Sequence, residues 1–191
     1  MSLLADGFIT YFWDLRASKV HADGSDGASS TRLQYAMREY TYRVDGEGRI
    51  FHDGSEIVDA ATLRFFLLAL QRTPEGRWLA LCQGERNWFE AADTPFVIQR
   101  LTLRVTNGQL DGADLCLAGD YREALNPATL QQEGGRLCCQ VRKGSFKARF
   151  GRVALQQLAP WLVEDVQGPA LVMGGRRYAL NAERATASPT G

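Results

Sequence analysis

Hydrophobic and polar positions alternate with period two at the start of the patterned body. Tyr40, Tyr42 and Val44 are separated by Thr41 and Arg43, the signature of a half-buried strand. Asp45-Gly46-Glu47-Gly48 supplies turn chemistry, and Ile50 and Phe51 return, so residues 38–52 are predicted to form a hairpin. The period then changes. Leu63, Phe66, Leu67 and Leu70 recur at helical spacing, with Phe65, Leu68 and Ala69 widening the stripe. Asp59 fits the N-cap and Thr73-Pro74 the stop, so the pattern predicts a helix with most of its circumference covered. Strands follow at 77–82 and 87–90 around Gln83-Gly84-Glu85-Arg86. After Asp93-Thr94-Pro95, one long strand is expected over 96–105, and Asn107-Gly108 turns it back into 110–117. A short helix near 127–131, a hairpin over 136–150, a second helix over 152–159 and three closing strands complete the series. The βαβ rhythm of a parallel sheet is lacking. The fold class read from this order is α+β, a mostly antiparallel β-sheet built from hairpins with two main helices packed on it. Glu75-Gly76-Arg77 and Gly134-Gly135-Arg136 echo each other, which would fit two similar halves, 32–105 and 106–184.

Composition marks zones around that body. Residues 1–20 form an N-terminal segment with an apolar patch at Phe8, Ile9, Tyr11, Phe12 and Trp13. Residues 21–31 read as a flexible Gly/Ser/Asp loop, 32–184 as a single α+β domain, and 185–191 as a disordered tail. With 191 residues, 45% hydrophobic and 23% charged, intrinsic disorder of the whole is excluded. The longest wholly apolar run, Phe65 to Leu70, is six residues, far short of the ~20 a spanning helix needs. The apolar patch lacks a basic lead-in and a cleavage site, so no secretory signal is read. Cys82, Cys116, Cys138 and Cys139 sit inside hydrophobic runs, which predicts buried thiols in a reducing, cytoplasmic setting rather than a disulfide framework.

The formal net charge is zero, with 22 basic and 22 acidic residues, which argues against a bulk nucleic-acid partner. The zero is a balance of unlike halves. Residues 1–95 hold 10 basic and 14 acidic residues, while residues 96–191 hold 12 and 8. A local anion site or electrostatic pairing, within one fold or between the subunits of a homodimer, is compatible with that split.

Three clusters carry candidate chemistry. Glu85, Arg86 and Asn87 with Asp93 place two acids, a guanidinium and an amide within ten residues. Arg86 could clamp a carboxylate or phosphate, or simply close a turn with an acid. Arg38, Tyr40 and Tyr42 share a strand face near Asp45, where tyrosines beside an arginine could floor a pocket or form a core face. Lys147 and Arg149 form the outer stripe of a strand within a run of five positive charges from Arg142 to Arg152. An anion or RNA backbone would use such a stripe, and so would ordinary solvent. No zinc spacing, Walker loop, dinucleotide fingerprint, nucleophile elbow or calcium loop occurs, so no metal or cofactor is implied.

Arg38-Glu39-Tyr40-Thr41-Tyr42, Asp45 to Phe51, Gly84 to Trp88 and Asp93 to Val97 resemble, in order and spacing, an uncharacterised family of unknown function shared by bacteria and animal mitochondria. The resemblance covers roughly residues 36–105. A second bacterial family of unknown function is similar in its H-x-G-x-x-I, helix and D-x-P-F-V arrangement. Each resemblance implies a shared fold and brings no activity, cofactor or catalytic residue.

Three readings of function follow. The favoured one is a module that holds a small anionic or planar ligand, or a partner peptide, between the Tyr40 hairpin and the Arg86–Asp93 segment. The second is a hydrolase or transferase with Glu85, Asp93 or Asp45 as acid or base and Arg86 as anion clamp. The third is an interaction subunit docking through Phe8 to Trp13.

Overall fold

The alternation around Tyr40 becomes an interior strand of the largest sheet. The computed structural model describes residues 38–182. The apolar segment 1–20, the loop 21–31 and the tail 185–191 lie outside the described residues.

Strands β1 (Glu39–Val44), β2 (Ile50–His52) and β3 (Ser55–Glu56) form the predicted hairpin and a short extension. Helix α1 (Ala60–Ala69) follows, capped as expected by Asp59, whose carboxylate accepts from the Thr62 N–H at 2.7 Å. Strands β4 (Leu70–Arg72), β5 (Trp78–Cys82) and β6 (Glu85–Glu90) complete a six-stranded sheet in the order β3-β2-β1-β6-β5-β4. Its β1–β6 pairing is parallel.

Two expectations fail here. The helix ends at Ala69 rather than near Thr73, because Leu70–Arg72 leave helical dihedrals to pair with β5. Only part of its circumference is covered. Phe66 and Leu67 are buried, each contributing about 2 kcal/mol of apolar burial, while Phe65 and Leu68 are exposed.

The expected long strand over 96–105 is also broken. It divides at Gln99 into β7 (Val97–Ile98) and β8 (Arg100–Thr106), which join different sheets. Strands β9 (Gln109–Cys116) and β10 (Arg122–Ala124) complete a three-stranded sheet, β10-β9-β8. Its β8–β9 turn is Asn107-Gly108, both residues left-handed. Strands β11 (Gln131–Glu133), β12 (Arg136–Val141) and β13 (Phe146–Phe150) join β7 in a further sheet. Helix α2 (Arg152–Leu158) then covers β8, where Gln157 bonds both the N–H and the C=O of Leu101, satisfying an edge strand. The chain closes with β14 (Leu162–Asp165), β15 (Gly168–Met173) and β16 (Arg176–Ala179). A last short strand, β17 (Asn181–Ala182), pairs parallel with β11. The architecture is α+β with antiparallel-rich sheets and two helices.

One apolar core runs through these layers, from Phe66 and Leu70 through Trp78, Phe96 and Ile98 to Leu115 and Leu158. A polar tie crosses its margin. Arg142 adopts a left-handed φ of 51°, costly without a compensating use of the side chain. Its Nη1 donates to the carbonyls of Leu67 (3.2 Å) and Leu70 (2.6 Å), which end α1. Its backbone N–H donates to Glu123, which also accepts the Tyr121 hydroxyl at 2.7 Å. Burial and that carboxylate push the Tyr121 phenol up to about 12.

The four cysteines are free thiols; three are buried and Cys82 is half-buried. Burial pushes the Cys82, Cys138 and Cys139 thiols up, away from the nucleophilic thiolate. Among the described residues, no helix is long and apolar enough to cross a membrane.

Candidate functional site

The two motif stretches singled out in the sequence lie side by side. Parallel β1–β6 pairing sets Glu39 beside Arg86, Tyr40 beside Asn87, and Tyr42 beside Phe89. Strand alternation then sends their side chains to opposite faces. On one face, Arg86 Nη1 lies 3.1 Å from a Glu39 carboxylate oxygen, and the Trp88 indole N–H donates to the other at 3.3 Å. Those two donors, Arg86 first, hold the Glu39 carboxyl below its ordinary range. Arg38 and Glu85 pair loosely at 4.0 Å. Exposed pairs of this kind contribute about 0–1 kcal/mol.

On the other face, Tyr42 stacks on Phe89 with ring centroids 5.0 Å apart and packs on Phe66 at 4.9 Å. Its phenol is raised, chiefly by burial. Tyr40 meets His52 edge-on at 5.7 Å. Asn87 is 3% exposed and donates to the Ala80 carbonyl at 3.2 Å, a bond internal to the sheet.

Asp93 stands apart from this group. It follows the far end of β6, and a strand of that length separates it from Glu85 by about 17 Å or more. The fold therefore gathers Arg38, Glu85 and Arg86 at one end and Asp45 and Asp93 at the other.

The second end holds the denser constellation. Asp93 accepts from Arg149 Nε at 3.1 Å, from Arg136 Nη1 at 3.1 Å and from the Thr94 N–H at 2.7 Å. Arg149 also donates from Nη2 to the Asp45 carbonyl at 3.2 Å, and its side chain is only 13% exposed. Parallel pairing of β7 with β13 puts Arg149 there, opposite Val97. Gly48 brings the β1–β2 turn up to it. At φ +80°, a Cβ on Gly48 would come within 2.7 Å of the Val97 Cβ, so only glycine permits this approach. Gln99, the residue that breaks the expected long strand, donates to the Glu47 and Gly48 carbonyls at 3.3 Å and secures the turn. Val44, Asp45, Ala92, Asp93, Arg136 and Arg149 are among the walls of a cavity of about 130 Å3.

Asp45 serves its own turn. Its carboxylate accepts the N–H groups of Glu47 and Arg49 at 2.9 Å and the Arg49 Nε at 2.7 Å. Burial acts to raise its pKa, but these donors outweigh it and the carboxyl is held low. A carboxyl depressed in the folded state contributes stability above its unfolded pKa of about 3.9 and loses it as pH falls through the folded value. Asp45→Asn is thus expected to lower the urea midpoint at pH 7 and to narrow the gap between pH 7 and pH 3, below the unfolded pKa. An unchanged gap would assign the acid sensitivity elsewhere.

The cationic stripe on β13 is matched by acids. Lys147 Nζ lies 2.6 Å from both Glu133 carboxylate oxygens, and Arg149 is held by Asp93. Sequence reasoning missed Arg136 as a member of this group. Its partner, Asp93, is 43 residues away, and the only local signal was the Gly134-Gly135 turn before it.

A DUF1285 family protein from Silicibacter pomeroyi DSS-3 has a similar solved structure, with a TM-score of 0.56 and 17% identity over 83% of this chain and 90% of that one. That likeness shows the fold. It agrees, at that level, with the resemblance to families of unknown function. A DUF1285 family protein from Shewanella baltica OS155 is also similar, with a TM-score of 0.49, 11% identity, and coverage of 63% of this chain and 91% of that one. No family model and no curated protein matches the chain.

Proposed function

We propose that the protein is a binding module for a small carboxylate-bearing ligand, seated in the cavity between the Asp45 turn and Asp93. The observation that carries this reading is the half-buried Arg149, fixed by Asp93 and the Asp45 carbonyl at the wall of a 130 Å3 cavity, with the more exposed Arg136 beside it. Two guanidinium groups share one carboxylate there, which leaves N–H donors for a second carboxylate. The volume suits a carboxylate group rather than a large ligand. The acid–base alternative needs Glu85 and Arg86 beside Asp93, and the length of β6 separates them. Docking through Phe8 to Trp13 concerns residues outside those described. The internal pairing of Lys147 and Arg149 supports reading nucleic acid out. A cytoplasmic location and motif-level kinship with the bacterial and mitochondrial family belong to the same proposal.

The test is thermal unfolding of the full chain with 10 mM formate, acetate or succinate at constant ionic strength. A ligand with Kd near 0.1 mM would stabilise by about 2.7 kcal/mol, raising the melting temperature by roughly 5–10 °C. The exposed Arg136→Ala should remove most of that shift. No shift with any of the three, or an equal shift in Arg136→Ala, overturns the reading.

A further inference from the structure

A larger cavity, about 370 Å3, opens where the β4–β5 turn meets the end of β6. Two arginines from either end of that turn form its walls. Arg72 pairs opposite Trp78 across the β4–β5 ladder, and its guanidinium lies over the Trp78 ring, 5.3 Å from the centroid. Arg77 lies over the Trp88 ring at 3.8 Å.

The turn between them is tightly specified. Thr73 and Arg77 exchange hydrogen bonds through the Thr73 N–H (2.8 Å) and the Thr73 hydroxyl (3.2 Å). Gly76 has φ +78°, and Arg72 Nε donates to its carbonyl at 3.3 Å. Stacking fixes the plane of each guanidinium and leaves its in-plane N–H edge for hydrogen bonding. Arginines held this way lose little side-chain entropy on binding.

Their charges are also uncommitted. Among the described residues, no carboxylate oxygen lies within 4.0 Å of either guanidinium. Asp93 reaches the same cavity wall, but it is matched by Arg136 and Arg149. Glu90, also on the wall, sits beside Arg43 in the β1–β6 register. Two positive charges therefore stand unmatched on an aromatic-walled cavity.

We infer that this cavity is a second, separate site, which takes the phosphate dianion of a small phosphate monoester between Arg72 and Arg77. The choice of a dianion follows from charge. A single carboxylate would neutralise one arginine and leave the other. A phosphate offers three oxygens to two guanidinium edges. The indoles of Trp78 and Trp88 would carry the organic part. The site shares no arginine with the carboxylate cavity, so either can exist without the other.

Tryptophan fluorescence reads the site directly, because one guanidinium rests on Trp88. The full chain is titrated with inorganic phosphate, phenyl phosphate and benzoate at pH 7.5, and with phenyl phosphate again at pH 5. Saturable change is expected with both phosphates, tighter for the ester, and weaker or absent with benzoate. Affinity for phenyl phosphate should fall at pH 5, where the monoester, with a second pKa of about 6, is mostly a monoanion. Arg72→Gln and Arg77→Gln lie on exposed side chains, and each should weaken binding about tenfold or more. Arg136→Ala should leave it unchanged, which separates this site from the carboxylate cavity. Tight inorganic phosphate with no gain from the ester would overturn the role given to the indoles. Equal binding of benzoate, unchanged affinity in both glutamine variants, or no saturation by about 10 mM would overturn the proposal.

Discussion

Replacing Gly119 with alanine is expected to lower the melting temperature by roughly 10 °C, the largest effect of any single methyl group on this fold. Gly119 is buried, with φ +66°, in the 3-10 turn that follows β9. A Cβ there would collide with the Arg64 backbone nitrogen and lie 2.6 Å from the Ala60 carbonyl oxygen. Both atoms are helix backbone, so no side chain can swing aside. The helix would have to lift, and it carries Phe66 and Leu67 into the core. Arg64 would also lose its two bonds to the Gly119 carbonyl, at 3.1 and 3.0 Å. Left-handed strain of about 1 kcal/mol and overpacking of 1–3 kcal/mol combine to about 3 kcal/mol. Gly108→Ala isolates the first contribution, since Gly108 has φ +74° and nothing within 4 Å of its Cβ position. Thermal unfolding should separate the two variants by several degrees. Equal losses would mean that the helix contact has no energetic weight.

Gly119 also marks where reading the sequence stops. Its glycine neighbours a helix 55 residues away, and no local pattern announces that. Period and turn chemistry found the elements. The Tyr40 alternation, the Asp59 cap and the Asn107-Gly108 turn are local, and each formed as expected. The errors arose where pairing over a distance overrode local preference. Leu70 continues the helical stripe of Leu63, Phe66 and Leu67, yet β5 offers Leu70–Arg72 a strand partner and takes them. Phe96 to Val105 alternates throughout, yet β7 and β8 have partners in different sheets, and Gln99 is the bend. The candidate residues show the same limit. That Glu39 would meet Arg86, and Arg149 would meet Asp93, depends on two parallel pairings between distant strands. Composition gave Lys147 and Arg149 as a bare cationic stripe because their acids, Glu133 and Asp93, lie on other strands and segments. Arg72 and Arg77 looked like ordinary charges flanking a turn. Only the ladder positions of Trp78 and Trp88 make them a pair.

Asp93→Ala is expected to cost about 3 kcal/mol, and a small carboxylate in solution should restore part of it. Removing this one side chain leaves Arg149, 13% exposed, without its counter-ion, and frees the outer Arg136 as well. An uncompensated half-buried charge is more damaging than the loss of the whole pair. Asp93→Ala/Arg149→Met should therefore be more stable than Asp93→Ala alone, with a coupling of about 2 kcal/mol in urea unfolding. The remaining loss reflects the Arg149 bond to the Asp45 carbonyl at 3.2 Å. The single variant also tests the binding proposal from the opposite side. Its cavity now holds two guanidinium groups and the space of a missing carboxylate, so formate or acetate should raise its melting temperature more than that of the unaltered chain. The double variant, lacking Arg149, should respond less than the single one. If Asp93→Ala is as stable as the unaltered chain, Arg149 is solvated well enough to stand alone, and the cavity is open water rather than a built recess. If the variant is destabilised yet indifferent to formate and acetate, Asp93 acts only as a structural tie.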